Sequence, residues 1–312
     1  MVSSGNGESE GPGEGGEHHG AREPRSELKF LVAEETAQAM RDYLRHYLAL
    51  DRHSAARPTF SYPIHTLYLD TEDLQLYRQT LDDHEQRFKM RLRWYDLEPS
   101  SPVYFEIKRR VSRGVLKERC AARRAAAPGI LAGRWPSPAD VAGGGASDFI
   151  CLERFSDLVR RLRVCPKAQV SYLREAWQNG GDESVRVTLD REVLCAASAP
   201  PDPAWPVETF APFGFRVILE LKYVGEFPPW FGGLITTFRL AQSAAGKYGT
   251  AVKLMGEQRY FCTLAARNPL AGTPEGWSFT GLKAGFSGGA PARAEAVGDA
   301  QAAAEPQRPA AL

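Results

Sequence analysis

The stretch FKMRLRWY, residues 88–95, decides the fold because its cationic and apolar side chains alternate. Successive side chains of a β-strand point to opposite faces, so Lys89, Arg91 and Arg93 lie on one face. Arg87, just ahead of the stretch, continues that row. The apolar side chains between them point the other way. The stretch therefore predicts a strand that turns one apolar face to a core and carries cations on the other.

The composition of the whole chain makes that row of cations informative. The chain has 312 residues, of which 43% are hydrophobic, so it can bury a sizeable core. Its 39 Lys and Arg residues are balanced by 38 Asp and Glu residues. This balance excludes a globally polybasic protein, so any anion-binding site must come from local segregation of charge.

Cysteine usage and hydropathy predict the compartment. The five cysteines are scattered without a CxxC pair, which argues against a disulfide framework and a zinc site and is typical of a reducing cytoplasm. The N-terminus lacks the apolar region of a signal peptide, and no run approaches the ~18 apolar residues of a membrane span. We therefore expect a cytoplasmic protein without direct membrane insertion.

Both ends of the chain differ in composition from its middle. Residues 1–24 are rich in Gly, Glu and Ser, and residues 268–312 are rich in Ala, Gly and Pro, so both are predicted to be disordered tails. Between them, 25–267 is predicted to form one α+β domain dominated by antiparallel strands. The predicted strands are 28–32, 64–70, 88–95, 103–110, 114–121, 168–176, 185–194 and 215–224; the predicted helices are 34–49, 71–81, 150–162 and 229–241, with a loop or insertion at 122–149.

The same alternation of charged and apolar residues recurs in the other predicted strands. Two interpretations remain open: a salt-bridged face exposed to solvent, or the charged lining of a closed barrel. Unpaired cations inside a barrel are tolerable only if water or a multiply charged anion fills the lumen. The count favours a basic tunnel for a polyphosphorylated ligand, because nine cations face four acids. The cations are Lys29, Lys89, Arg91, Arg93, Lys108, Arg110, Arg174, Arg186 and Lys222, and the acids are Glu27, Glu106, Asp190 and Glu220.

An ordered series of motifs resembles the polyphosphate polymerase (VTC) domain of the triphosphate tunnel metalloenzyme superfamily. The resemblance covers roughly residues 26–256, and it implies a closed antiparallel β-barrel of about eight strands, charged inside and flanked by helices. The motifs, in chain order, are SELKFLV, YPIHTLYLDT, FKMRLRWY, YFEIKRR, VLKER, SYLREAW, RVTLDREV, VILELKY and GKY.

The resemblance also implies roles for individual residues. It places catalytic contacts to phosphate on Lys29, Arg91, Arg93, Lys108, Arg174 and Lys247, and further phosphate or substrate contacts on Lys89, Lys117, Tyr172, Arg186 and Lys222. It places Mn2+ or Mg2+ on Glu220, with Glu106 and Glu27 assisting. Structural roles stay open for three of them: Arg186 pairing with Asp190 across a strand, Glu27 only neutralising a lysine, and Tyr172 being an ordinary strand aromatic.

The implied activity is transfer of the ATP γ-phosphoryl group to a growing polyphosphate chain. A tripolyphosphatase and a non-catalytic polyphosphate-binding module remain alternatives. Arg25 stands where the hydrolase branch has the first acid of ExExK, which weakens the hydrolase alternative, and Gly246 replaces a common Ser before Lys247. ATP and polyphosphate are the expected partners, with a separate membrane partner left open. Nucleic acid is not expected, because most aromatics alternate away from the cationic faces.

Overall fold

The computed structural model describes residues 25–111, 114–143, 145–180, 184–197 and 209–260. The predicted tails, 1–24 and 268–312, lie outside these residues, as does Cys262. Their predicted disorder therefore stays a prediction.

The predicted strands are all present. Most run slightly longer than predicted, whereas β4 is shifted by one residue toward the N-terminus and β9 begins two residues later. The strands are β1 (Arg25–Val32), β2 (Ala49–Leu50), β3 (Tyr62–Asp70), β4 (Arg87–Trp94), β5 (Val103–Val111), β6 (Gly114–Ala122), β7 (Cys165–Gln178), β8 (Val185–Ala197) and β9 (Val217–Val224).

The helices surround this sheet. They are α1 (Glu34–Leu44), α2 (Arg52–Ala55), α3 (Gln75–Leu81), α4 (Ala127–Leu131), α5 (Ala146–Leu162), α6 (Pro229–Thr237) and α7 (Lys247–Met255), with 3-10 turns at Arg124–Ala126, Pro138–Asp140 and Glu257–Tyr260. The predicted start of the helix at residue 71 is wrong, because α3 begins at Gln75. Asp70 still contacts its first turn, since its carboxylate accepts hydrogen bonds from the backbone N–H groups of Leu76 and Tyr77. None of the helices in the described ranges combines the length and apolar character needed to cross a bilayer.

The strands form one antiparallel sheet in the order β1-β9-β8-β7-β3-β4-β5-β6, with β2 added beside β7. The prediction of a closed barrel is wrong, because β1 and β6 are not hydrogen-bonded to each other in the described part of the chain. Loops occupy part of both free edges instead: Ser243 N–H donates to Lys29 O, and Ala142 N–H donates to Ala121 O. An ion pair between Lys108 on β5 and Glu27 on β1, 3.6 Å long, still brings the two ends of the sheet together.

One face of this curled sheet packs against helices. Met90, Leu92 and Trp94 of β4 lie in a core with α4 and α5, and Leu219 and Leu221 of β9 lie in a second core with α1 and α6. The opposite face, called the inner face below, carries the cations. The predicted division of a strand into an apolar and a charged side is therefore confirmed for β4 and β9.

A third apolar cluster lies on the inner face and covers part of it. Tyr248, Ala251 and Val252 of α7 pack there against Tyr68 of β3 and Tyr172 of β7. The inner face is thus divided into a region covered by α7 and a charged region.

Further details of the predicted helices are wrong. The last predicted helix, α6, ends at Thr237 rather than at residue 241. The first helix ends at Leu44 rather than at residue 49, although Leu48 is buried as expected. The loop at 122–149 contains α4, and Ile150 of α5 is exposed rather than inward-facing. Ile150 precedes the stripe formed by Leu152, Phe155 and Val159 and lies off its axis, so apolarity alone did not indicate its orientation.

Candidate functional site

The wall formed by β4, β5 and β6 is organised around Glu106. Its carboxylate lies 2.6 Å from Arg91 Nε, 3.0 Å from Lys117 Nζ and 3.6 Å from Arg119 Nε. Burial opposes ionisation of Glu106, but Arg91, Arg93 and Lys117 hold its pKa well below the usual range. One buried carboxylate is therefore shared by three cations.

The wall formed by β1 and β9 is organised around Glu220 in the same way. Lys222 Nζ lies 2.5 Å from its carboxylate, Lys247 Nζ 3.3 Å, and Lys29 Nζ and an Arg174 amino nitrogen 3.9 Å. Burial would raise the pKa of Glu220, yet the four cations lower it far below its ordinary value. Glu220 stays ionised and cannot neutralise all four.

Asp190, on the neighbouring strand β8, fixes two of those cations. Arg174 binds it through two hydrogen bonds of 2.7 and 2.8 Å, and Lys247 Nζ lies 2.5 Å from Oδ2. Burial raises the pKa of Asp190, and the two cations more than offset it. The ring of Tyr172 lies beneath both cations, 5.2 Å from Arg174 Cζ and 4.7 Å from Lys247 Nζ. Tyr172 is therefore part of the charged region and more than a strand aromatic.

Glu27 connects the two walls. Its carboxylate lies 2.7 Å from Lys29 Nζ and 3.6 Å from Lys108 Nζ. Burial and the charge of Glu220 raise the pKa of Glu27, while Lys222 and the two bound lysines bring it down to about 2. Glu27 does neutralise a lysine, and it also lies beside Glu220, because both contact Lys29.

Arg93 of β4 has a buried side-chain nitrogen without a hydrogen bond to any described residue. Its side chain is buried, and Nε has no partner in the described residues. The charge of Arg93 nevertheless helps to lower the pKa of Glu106. A buried donor without an acceptor is costly, so this position suits an anionic ligand that supplies one.

Lys89 is surrounded by other cations. Burial and the charges of Lys29, Lys108, Arg91 and Arg87 together lower its pKa to about 8. Placing a lysine among cations is unfavourable for the empty protein, and a bound polyanion would relieve the repulsion.

The low pKa of Lys89 predicts a pH-dependent affinity for inorganic triphosphate. A bound polyanion raises this pKa, so the contribution of Lys89 to affinity is complete below about pH 8 and is lost as the pH rises above it. Between pH 7.5 and 9.5, the fold-loss of affinity for triphosphate should be roughly ten times larger in the wild type than in Lys89→Arg. Calorimetry in EDTA measures both affinities. Equal losses in both proteins would contradict this assignment.

The structure brings most of the predicted site residues together on the inner face. Arg186 lies there too, but its partner is Asp51, which precedes α2, at 2.8 Å. The alternative pairing of Arg186 with Asp190 is therefore wrong. The contacts described above connect the predicted site residues into two groups. The first group contains Glu27, Lys29, Lys108, Arg174, Tyr172, Lys222, Glu220 and Lys247. The second group contains Arg91, Glu106 and Lys117.

Sequence reasoning missed two residues of this region. Arg119 follows Lys117 by two residues in β6, so the alternation rule places both on the same face. Asp190 was assigned to the charged face but not to the site, because its partners Arg174 and Lys247 lie on other elements. The alternation of side chains could have identified Arg119, whereas only the tertiary fold reveals the role of Asp190.

Helix α7 brings Lys247 to the site. Lys247 is its first residue, and Tyr248 beside it stacks on Tyr68 with a centroid distance of 4.9 Å. The Tyr248 hydroxyl also donates a hydrogen bond of 2.9 Å to Asp70 Oδ2. These contacts hold the start of α7 against the inner face, so Lys247 reaches both Asp190 and Glu220.

The three acids predicted to bind metal do not form one cluster. Glu27 and Glu220 are neighbours through Lys29, whereas Glu106 is held by its own cations on β4 and β6. In the part of the chain that the structure describes, no group of three or more His, Cys, Asp or Glu side chains is arranged to hold a metal ion. Metal binding by Glu220 and Glu27 therefore stays a prediction.

Comparison with known proteins supplies the family. Subunit 2 of the vacuolar transporter chaperone complex of Schizosaccharomyces pombe is 32% identical over 140 residues, which cover 42% of this chain and 19% of that protein. The solved structure of a candidate adenylate cyclase from Bacillus halodurans aligns over 72% of this chain and 95% of its own, with 17% identity and a TM-score of 0.42. The model of the family described as "VTC domain" matches residues 24–256. The chain therefore belongs to the VTC domain family.

Proposed function

We propose that this domain is a divalent-metal-dependent polyphosphate polymerase that transfers the γ-phosphoryl group of ATP to a growing polyphosphate chain. The observation that carries the proposal is the sharing of each inner carboxylate among several cations: three around Glu106 and four around Glu220. The positive charge left over suits a ligand with many negative charges, and membership of the VTC domain family supports a phosphate polymer.

Phosphoryl transfer asks mainly for positioning and charge neutralisation from the protein. Arg91 and Arg93 lie two residues apart on β4, so their guanidinium groups would bind neighbouring phosphates of the donor. Lys29, Arg174 and Lys247 would orient the acceptor end from the opposite wall. The terminal phosphate of the polymer would be the nucleophile, so no side chain of the domain needs to attack.

The acids beside these cations fit a hard divalent ion. Glu220 and Glu27 are neighbouring, ionised oxygen donors, and Mg2+ is commonly held by one or two carboxylates together with substrate phosphates. Bound Mn2+ or Mg2+ would supply charge neutralisation of the phosphoryl oxygens. Glu106 would instead hold Arg91, Lys117 and Arg119 in place.

The S. pombe relative is named as a subunit of a complex and is much longer than its matched segment. We extend the proposal accordingly: the domain works beside a separate partner, and the membrane partner that the sequence left open is one candidate. Co-purification of the full chain from its own cells would identify it.

Arg93→Ala tests the proposed activity and breaks no hydrogen bond of Arg93 Nε, which has no partner in the described residues. We expect synthesis of a polyphosphate ladder from ATP, a short primer and Mn2+ to fall about 100-fold or more. Arg109→Ala is the matched control, since Arg109 is exposed and lies on the opposite face of β5.

The products on the stained gel separate the alternatives. Phosphate release without a ladder from the wild type would indicate a tripolyphosphatase. Tight binding of triphosphate with no turnover would indicate a binding module. Full activity of a folded Arg93→Ala protein would contradict the assignment of Arg93 to donor binding.

A further inference from the structure

Three tyrosines gather on the inner face beside the cations, a group called the tyrosine cluster below. Tyr62 begins β3, Tyr95 directly follows β4, and Tyr104 lies in β5. The ring centroids of Tyr62 and Tyr95 are 6.4 Å apart, and those of Tyr95 and Tyr104 are 5.7 Å apart in an edge-on arrangement. The sequence did not predict it, because most aromatics alternate away from the cations.

Arg119 adds a flat cation to this group. Its guanidinium carbon lies 3.9 Å from the centre of the Tyr104 ring, and an amino nitrogen donates a 3.0 Å hydrogen bond to the Tyr95 hydroxyl. Its contact with Glu106 is longer, at 3.6 Å. Tyr95, Tyr104 and Arg119 are each partly exposed, so together they present flat, accessible surfaces.

The cluster lies one step along the strands from the phosphate-binding cations. Tyr104 is the direct cross-strand partner of Arg93, and Tyr62 is that of Arg174. Tyr95 lies two residues beyond Arg93, and two residues of a strand span roughly 6.6 Å. A ligand with phosphates on Arg91 and Arg93 would therefore place its next group against the tyrosines.

The chemistry of the cluster identifies that group. Aromatic rings and guanidinium planes stack on flat, electron-rich rings, and nucleobases bind proteins in this way without sequence preference. Inorganic polyphosphate has no such ring, whereas a nucleoside triphosphate carries one next to its phosphates. We propose that the tyrosine cluster, with Arg119, binds the nucleobase of the donor nucleotide. This subsite rests on the proposed function for the identity of the donor.

Binding of ATP and of inorganic triphosphate, each measured by calorimetry in EDTA, tests the subsite apart from turnover. Tyr104→Ala is expected to weaken ATP binding about tenfold and triphosphate binding less than twofold. Tyr104→Phe, which keeps the ring, should bind both ligands like the wild type. Tyr104→Leu keeps apolar bulk without the ring and should behave like Tyr104→Ala, which excludes a packing defect as the cause.

Two outcomes would overturn the subsite: equal weakening of both ligands in Tyr104→Ala, or no change in either. The ladder assay keeps the two proposals separate. A wild type that makes no polymer but shows the selective loss of ATP binding would refute the polymerase and support the subsite. If the wild type makes polymer but Tyr104→Ala leaves ATP binding unchanged, the polymerase would be supported and the subsite refuted.

Discussion

Glu220→Gln is expected to abolish polymer synthesis and, at the same time, to tighten the binding of inorganic triphosphate in EDTA. The substitution removes one negative charge from among four cations, so a metal-free polyanion meets less repulsion. Turnover should fall by at least about 100-fold, because the oxygen donor proposed for the metal is lost. The ladder assay and calorimetry measure the two effects.

A loss of polymer synthesis combined with tighter triphosphate binding distinguishes a metal ligand from a carboxylate that only neutralises the lysines. If Glu220 only balanced the lysines, the glutamine variant would bind triphosphate more tightly and keep its activity. That result would remove Glu220 from the proposed metal site. Glu118→Gln serves as the control, since Glu118 lies in β6 on the other face of the sheet and pairs with Arg154 at 2.6 Å. It should change neither measurement.

Asp190→Asn is expected to lower the free energy of unfolding by about 3–5 kcal/mol at pH 7. The side chain is fully buried and is the partner of both Arg174 and Lys247, so its loss leaves two buried cations without their main counter-charge. The pKa of Asp190 is lowered in the folded state, so its contribution is complete above the unfolded pKa and is lost as the pH falls through the folded value. Urea titration at pH 7 measures the loss.

Added triphosphate should restore part of that stability, because an anion between Arg174 and Lys247 would replace the missing charge. Asp157→Asn is the matched control: Asp157 pairs with Arg161 on the surface of α5, and removing it should cost less than about 0.5 kcal/mol. A loss below about 1 kcal/mol for Asp190→Asn would show that the buried cations do not depend on this carboxylate.

Side-chain direction was readable from the sequence because it is a local property. In FKMRLRWY the two-residue period of a strand separates Arg91 from Leu92 whatever the rest of the chain does. The same rule placed Glu220 and Lys222 together on β9, and the structure agrees. Family resemblance then indicated which of these charges bind phosphate, and that part stays a prediction for individual residues.

Closure of the sheet was not readable from the sequence. A barrel forms only when strand number, tilt and stagger agree over the whole sheet, and no single strand carries that information. Here the edges of β1 and β6 bond to loops near Ser243 and Ala142, and the ends of the sheet meet through Glu27 and Lys108.

The sequence by itself determined which residues face the charged side, because alternation depends only on neighbouring positions. Only the tertiary structure decided which charged residues form ion pairs with each other. Arg186 pairs with Asp51, and Asp190 pairs with Arg174 and Lys247. Ion pairs act over a few ångströms between residues far apart in the chain, so they depend on how strands and α7 come together. The tyrosine cluster beside Arg119 arose in the same way, since its members come from separate strands that only the folded sheet places side by side.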